Sequence, residues 1–195
     1  MKKARNVLLA LLCALLLIAG SVAGTLAYLT DTKEATNTFT VGKVKITLDE
    51  APVNKETGKK EAGDRVTSYT DVLLVPGRVI DKDPTVHVEE GSEKCYLFVK
   101  ITNGLAGIET NDDAAATIAA QIEANGWTEL ENGVYYRVVE KTAERDYVVF
   151  RTFTVDKDNT NDTLAGLSTR YLNITAYAVQ FEGMADVNAA WNVVK

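Results

Sequence analysis

Cys95-Tyr96-Leu97-Phe98-Val99-Lys100-Ile101 is the stretch that decides the fold. Cys95, Leu97, Val99 and Ile101 take one side of a strand, and Tyr96 and Phe98 take the other. Side chains alternate between the two faces of a strand, so this one is apolar on both. Such a strand needs cover above and below, which places it inside a sheet with packing on each side.

Outward from this segment the chain is rich in strand patterns. Thr85–Val88 reads as a short strand after Asp83-Pro84, and Glu89-Glu90-Gly91-Ser92 as the turn that follows it. Val134–Val139, Tyr147–Val155 and Tyr171–Phe181 read as further strands, with Asn132-Gly133 as a hairpin signal before the first of them. Val44, Ile46 and Leu48 alternate with polar residues, as do Phe39 and Val41, but the two sets are out of phase. A one-residue slip turns a strand's apolar side to the wrong face, so a bulge or bend is expected at Gly42-Lys43. Glu50–Arg65 reads as a long exposed loop, Pro76-Gly77 as a turn, and Asp156–Gly166 as a polar loop.

The period changes twice. Ala115, Ile118, Ala119 and Ile122 recur at helical spacing, with Asn111 as N-cap, Asp112 and Asp113 at the positive end and Gly126 at the close. This predicts a helical insertion over about 112–124. Val187, Ala190, Trp191 and Val194 share one helical face behind Asp186, predicting a short C-terminal helix that sets Trp191 against the sheet. Seven or eight strands with these two helices predict an all-β, jelly-roll-like two-sheet sandwich, with residues 42–195 as a single domain.

The N-terminus has a separate character. Lys2, Lys3 and Arg5 precede an apolar run from Val7 to Ile18, and small residues follow. That order is a signal peptide, read here as residues 1–27, with Ala27 and Tyr28 flanking the cut and Ser21-Val22-Ala23 as an earlier alternative. The run is shorter than the roughly 20 apolar residues that a spanning helix needs, so no permanent membrane span is expected after cleavage. The expected location is extracellular, at a cell surface or in a matrix, with a signal peptidase as the partner during export. Losing three basic residues and no acid takes the formal charge from −6 to −9. Such a surface repels nucleic acid and suits solubility outside the cell. Only Cys95 survives the cut, so no intrachain disulfide can form and the core must hold by packing. In a strand, Cys95 reads as a buried, inert thiol.

Catalytic patterns are weak. His87 is the one histidine, in a strand pattern between Val86 and Val88, where a packing or surface role is expected. There is no His-Glu-x-x-His, and a Cys95–His87 pair would lack access for a substrate. The chain therefore reads as a non-enzyme. Asp156, Asp158 and Asp162 raise the question of Ca2+, since alternating oxygen ligands suit a hard cation. Asn161 stands where an EF-hand needs glycine, so an Asx-rich turn is the preferred reading, and no other cofactor is indicated. Asp81-Lys82-Asp83 is a weaker version of the same question. Residues 28–41 form a threonine-rich arm without proline and with glycine absent, and such an arm can add a strand to an exposed sheet edge. Tyr28, Leu29, Phe39 and Val41 are its candidate contacts.

Several of these segments point to a family. Gly24-Thr25-Leu26-Ala27-Tyr28-Leu29-Thr30-Asp31-Thr32 and Thr38-Phe39-Thr40-Val41-Gly42 resemble the exported TasA/camelysin-type proteins of Gram-positive bacteria. So do Pro76-Gly77-Arg78-Val79-Ile80-Asp81-Lys82, the strand Cys95–Ile101, and Ile174–Gln180 with Ala190-Trp191. The resemblance implies a jelly roll, a SipW-type signal peptidase, a place in the cell envelope or biofilm matrix, and fibres in which one subunit's N-terminal strand completes the next subunit's sheet. Carried onto this chain, the donor is Tyr28 to about Val41. Some relatives carry a metalloprotease label, which these residues do not support. The expected function is thus a secreted structural protein that self-associates or joins other matrix proteins. The alternative is an extracellular glycan- or calcium-binding module of the same fold.

Overall fold

Strand β4 (Cys95–Asn103) lies inside a four-stranded antiparallel sheet, in the order β5–β6–β4–β9. The computed structural model describes residues 43–68, 72–110, 112–141, 145–167 and 171–195. The neighbours of β4 are β6 (Val134–Val139) and β9 (Leu172–Gln180), and β5 (Thr128–Glu131) closes the far side. Both faces of β4 are covered. Cys95, Leu97 and Val99 enter the main core, and Tyr96 and Phe98 enter a second cluster with Val134, Val179, Ala190 and Trp191. Each large side chain fully buried in this way contributes roughly 1.5–3 kcal/mol.

The main core is closed on its other side by two smaller ladders. One is β1 (Ile46–Asp49), β3 (Thr85–Val88) and β7 (Asp146–Val148), in the order β1–β3–β7. The other pairs β2 (Val79–Asp81) with β8 (Thr152–Thr154). The described strands thus fall into three antiparallel ladders where two sheets were expected. The cause is a corner. Tyr147–Val155, read as one strand, is two, because Val149 and Phe150 are consecutive and both enter the main core. A straight strand cannot turn two neighbours to the same side. The partner chain bends at the same level, where Pro84 has no N–H to give to a ladder. Val149 N–H still donates to Pro84 O at 2.8 Å, and Lys82 N–H to Arg151 O at 2.7 Å, so the two bends stay in register.

The insertion is a helix, but a shorter one than expected. Ala114–Ala116 forms a 3-10 turn capped by Asp113, the backbone breaks at Thr117, and α1 runs Ile118–Ala124. Thr117 supplies the N-cap by accepting from Ala120 N–H, and Glu109 accepts from Ile118 N–H. Ile118 and Ile122 are buried, while Ala115 and Ala119 are exposed. Asn111 lies outside the described residues. Gly126 closes the helix at φ 82°, a left-handed conformation that favours glycine.

Glu50–Arg65 is more ordered than the exposed loop it was read as. Bridges Glu50–Val66 and Val53–Lys60 fold it back on itself, and Ala51 and Val53 are buried. Asp156–Gly166 also departs from expectation, since it contains a helical turn, α2 (Asn161–Ala165), capped by Thr160 with Leu164 buried. The C-terminal helix α3 (Val187–Val194) agrees with the sequence reading. Asp186 caps it, and Trp191 lies 5.2 Å from Phe98 and 5.4 Å from Tyr177, ring centre to ring centre, with its indole N–H donating to Glu131 Oε1 at 2.7 Å.

Candidate functional site

β9 is an end strand of its sheet. Its register against β4 is fixed at both ends: Gly104 N–H donates to Tyr171 O at 3.0 Å, and Phe181 N–H donates to Lys94 O at 2.9 Å. Hydrogen-bonded and non-bonded pairs alternate along an antiparallel ladder. Asn173, Thr175, Tyr177 and Val179 therefore direct their backbone groups to β4. Leu172, Ile174, Ala176, Ala178 and Gln180 direct theirs outward. No hydrogen bond among the described residues reaches those outward groups. The strand is nine residues long and carries no charge, proline or glycine. Such a run of outward N–H and C=O groups is a template for another strand, and proteins ordinarily blunt it.

Two other edges are blunted among the described residues. β5 is short, carries Glu129 and Glu131, and loses register between them. The outer side of β7–β8 is covered by side chains from the helical insertion. Trp127 donates its indole N–H to Val148 O, and Asn125 donates to Val149 O, both at 3.0 Å. Gln121 Oε1 accepts from Arg151 N–H and Thr152 N–H, both at 3.0 Å, and its amide donates to Thr152 O at 3.0 Å.

A second constellation was not foreseen. His87 Nδ1 lies 2.7 Å from Asp146 Oδ1, and its Nε2 lies 2.9 Å from Asp49 Oδ1, so the imidazole links all three strands of its ladder. Burial alone would lower its pKa, but the hydrogen bonds and charges of Asp146 and Asp49 outweigh that and raise it. Asp49 also meets Arg65, and the two partners hold its carboxyl below the ordinary range against the opposing effect of burial. Asp83 is lowered likewise. Burial opposes the shift, while the Ala51 N–H, Lys60 and Arg65 favour the carboxylate. Lys82 stands 2.8 Å from Glu50 Oε2, out of line for a hydrogen bond there, and donates to Oε1 at 3.1 Å. Sequence raises Asp81 and Asp83 only as a weak calcium question and Asp49 not at all, because their cations come from the folded-back loop.

Among the sequence-derived candidates, Cys95 is fully buried, and burial pushes its thiol up to about 11. It points into the main core while His87 is held by two carboxylates, so the pair is not brought together. Asp156 Oδ1 accepts from Asp158 N–H at 2.7 Å, an Asx turn, and Asp162 lies in the first turn of α2. Among the described residues no three His, Cys, Asp or Glu side chains converge as a metal site. The signal segment 1–27 with Ala27, and the arm contacts Tyr28, Leu29, Phe39 and Val41, lie outside the described residues, as does Gly42. Among the described residues no helix is long and apolar enough to cross a membrane. No protein-family model, no curated protein and no solved structure matches this chain.

Proposed function

We propose that the chain is a secreted, non-enzymatic structural protein of a Gram-positive cell surface or biofilm matrix, whose copies are joined by strand addition. The reading includes the TasA/camelysin likeness and a jelly-roll arrangement of the sheets. The observation that carries it is the β9 edge, nine residues without charge, proline or glycine, whose outward backbone groups have no partner among the described residues. The N-terminal arm is long enough to fill that edge, since residues 28–41 exceed the nine residues of β9. Backbone hydrogen bonds supply the joint. Leu29, Phe39 and Val41 act as apolar anchors, each contributing roughly 1.5–3 kcal/mol if fully buried.

Electron microscopy of the protein started at Tyr28, beside a variant lacking residues 28–38, tests this. Fibres from the first and a folded monomer from the second are expected. Unchanged fibre yield after the deletion sinks the proposal.

A further inference from the structure

A cleft of about 160 Å³ opens where the folded-back loop meets the β2–β8 corner. Its floor is apolar, from Ala51 and Val53. Its rim is charged: Lys60, Asp81 and Arg151 stand around it. The charges nearby pair off almost completely. Lys59 meets Asp81 at 3.1 Å, Lys60 meets Asp83 at 2.7 Å, Arg65 bridges Asp49 and Asp83, and Lys82 meets Glu50 at 2.8 Å. The Arg151 guanidinium is the remainder. Its side chain makes no hydrogen bond or ion pair among the described residues. The cleft therefore carries a local positive excess in a chain whose net charge is −6.

The base of this arginine is fixed. Its N–H donates to Gln121 Oε1 at 3.0 Å, and its carbonyl accepts from Lys82 N–H at 2.7 Å. Its guanidinium offers a planar fork that matches a carboxylate with two parallel hydrogen bonds. Beside it, the Asp81 carboxylate can accept from hydroxyl groups, and Ala51 and Val53 can meet the apolar face of a ring. The volume is below the roughly 300–1,000 Å³ of drug-sized pockets, so the fitting ligand is small.

We infer that this cleft binds a hydroxylated carboxylate, the chemistry of one uronic-acid sugar unit, with Arg151 gripping the acid and Asp81 the hydroxyls. The inference is independent of strand addition, because the cleft lies on the β2–β8 corner and not on β9. The same chemistry is presented by a free sugar acid and by an acidic polysaccharide.

Calorimetry of the purified chain with galacturonate, a short oligogalacturonate, galactose and acetate separates the cases. Saturable heat with the two acids, none with galactose and far weaker binding of acetate are expected. R151A should weaken the acids about tenfold or more, the size of a lost charge-assisted pair. R151K should recover only part of that, since it restores the charge without the fork. D81N should lower affinity for the sugar acids while leaving acetate unchanged. Tighter binding of the oligomer identifies a polysaccharide, and equal binding identifies the free acid. Absence of saturable heat, equal binding by R151A, or acetate matching galacturonate overturns the inference. Arg151 is exposed, so an unchanged thermal transition in R151A is expected and excludes misfolding as the cause.

Discussion

The outer side of β7–β8 and the outer side of β9 pose the same physical problem and meet it differently. Both present a row of backbone groups with no strand paired beyond among the described residues. On β7–β8 the row is taken up by Gln121, Asn125 and Trp127, all from one short insertion. On β9 nothing among the described residues takes it up, and the strand carries no charge to discourage a visitor. An edge costs little while water satisfies it, but it invites pairing. The chain covers one edge with three side chains, while the longer one has no hydrogen-bond partner among the described residues.

The sharpest way to break this contrast is to spoil β9 without touching the rest. Ala176 turns its N–H outward, so Ala176→Pro removes one outer donor and leaves the bonds to β4 in place. Assembly, read by light scattering and electron microscopy, should vanish while the circular dichroism spectrum stays. Asn173→Lys, opposite Thr102 and exposed, should act in the same direction less completely.

Next in size is the support behind β9. Trp191 is 3% exposed and fills the cluster between α3 and the sheet. Trp191→Ala should cost about 3–5 kcal/mol, measured by denaturant unfolding. A loss below about 1 kcal/mol would mean that α3 merely lies on the sheet. On the covered edge, Gln121→Ala strips partners from Arg151 N–H, Thr152 N–H and Thr152 O together. A loss of about 1–3 kcal/mol is expected, together with faster amide exchange at residues 151 and 152.

The smallest effect is a pH slope. The folded protein raises the His87 pKa, so the stabilisation is complete below the unfolded value of about 6.5 and is lost as pH rises through the folded one. Asp49 has the opposite sign: its contribution is present above about pH 3.9 and is lost as acid passes its lowered value. Unfolding midpoints should therefore fall from pH 6 towards pH 9, and His87→Gln should flatten that fall. A midpoint that rises with pH over this range would refute the three-strand link.

Much of the architecture was legible because it depends on local period. The two-faced pattern at Cys95–Val99, the Asn132-Gly133 hairpin and the Asp186-capped helix each follow from a few adjacent residues. The corner at Val149-Phe150 was written there too, as two consecutive inward residues, but its meaning depended on Pro84, more than 60 positions away. β5 escaped notice because Thr128–Glu131 has three polar residues in four and pairs only through the hairpin. The charged cluster was illegible for a different reason. Asp49 and Asp83 meet Arg65 and Lys60 only when 50–65 folds back, and His87 meets Asp49 and Asp146 only through the pairing of three strands, and no spacing rule carries that. The β9 edge was hidden as well, since sequence shows that Leu172–Gln180 is a strand but not that it comes last in its sheet.

The thiol of Cys95 gives the experimenter a tool. With no solvent access and with an ionised form that is rare below about pH 11, it is silent towards alkylating dyes while the sheet holds. In a chain without Cys13, the rate of dye uptake would clock spontaneous opening of the β4 layer, and the same single label would compare free subunits with assembled ones.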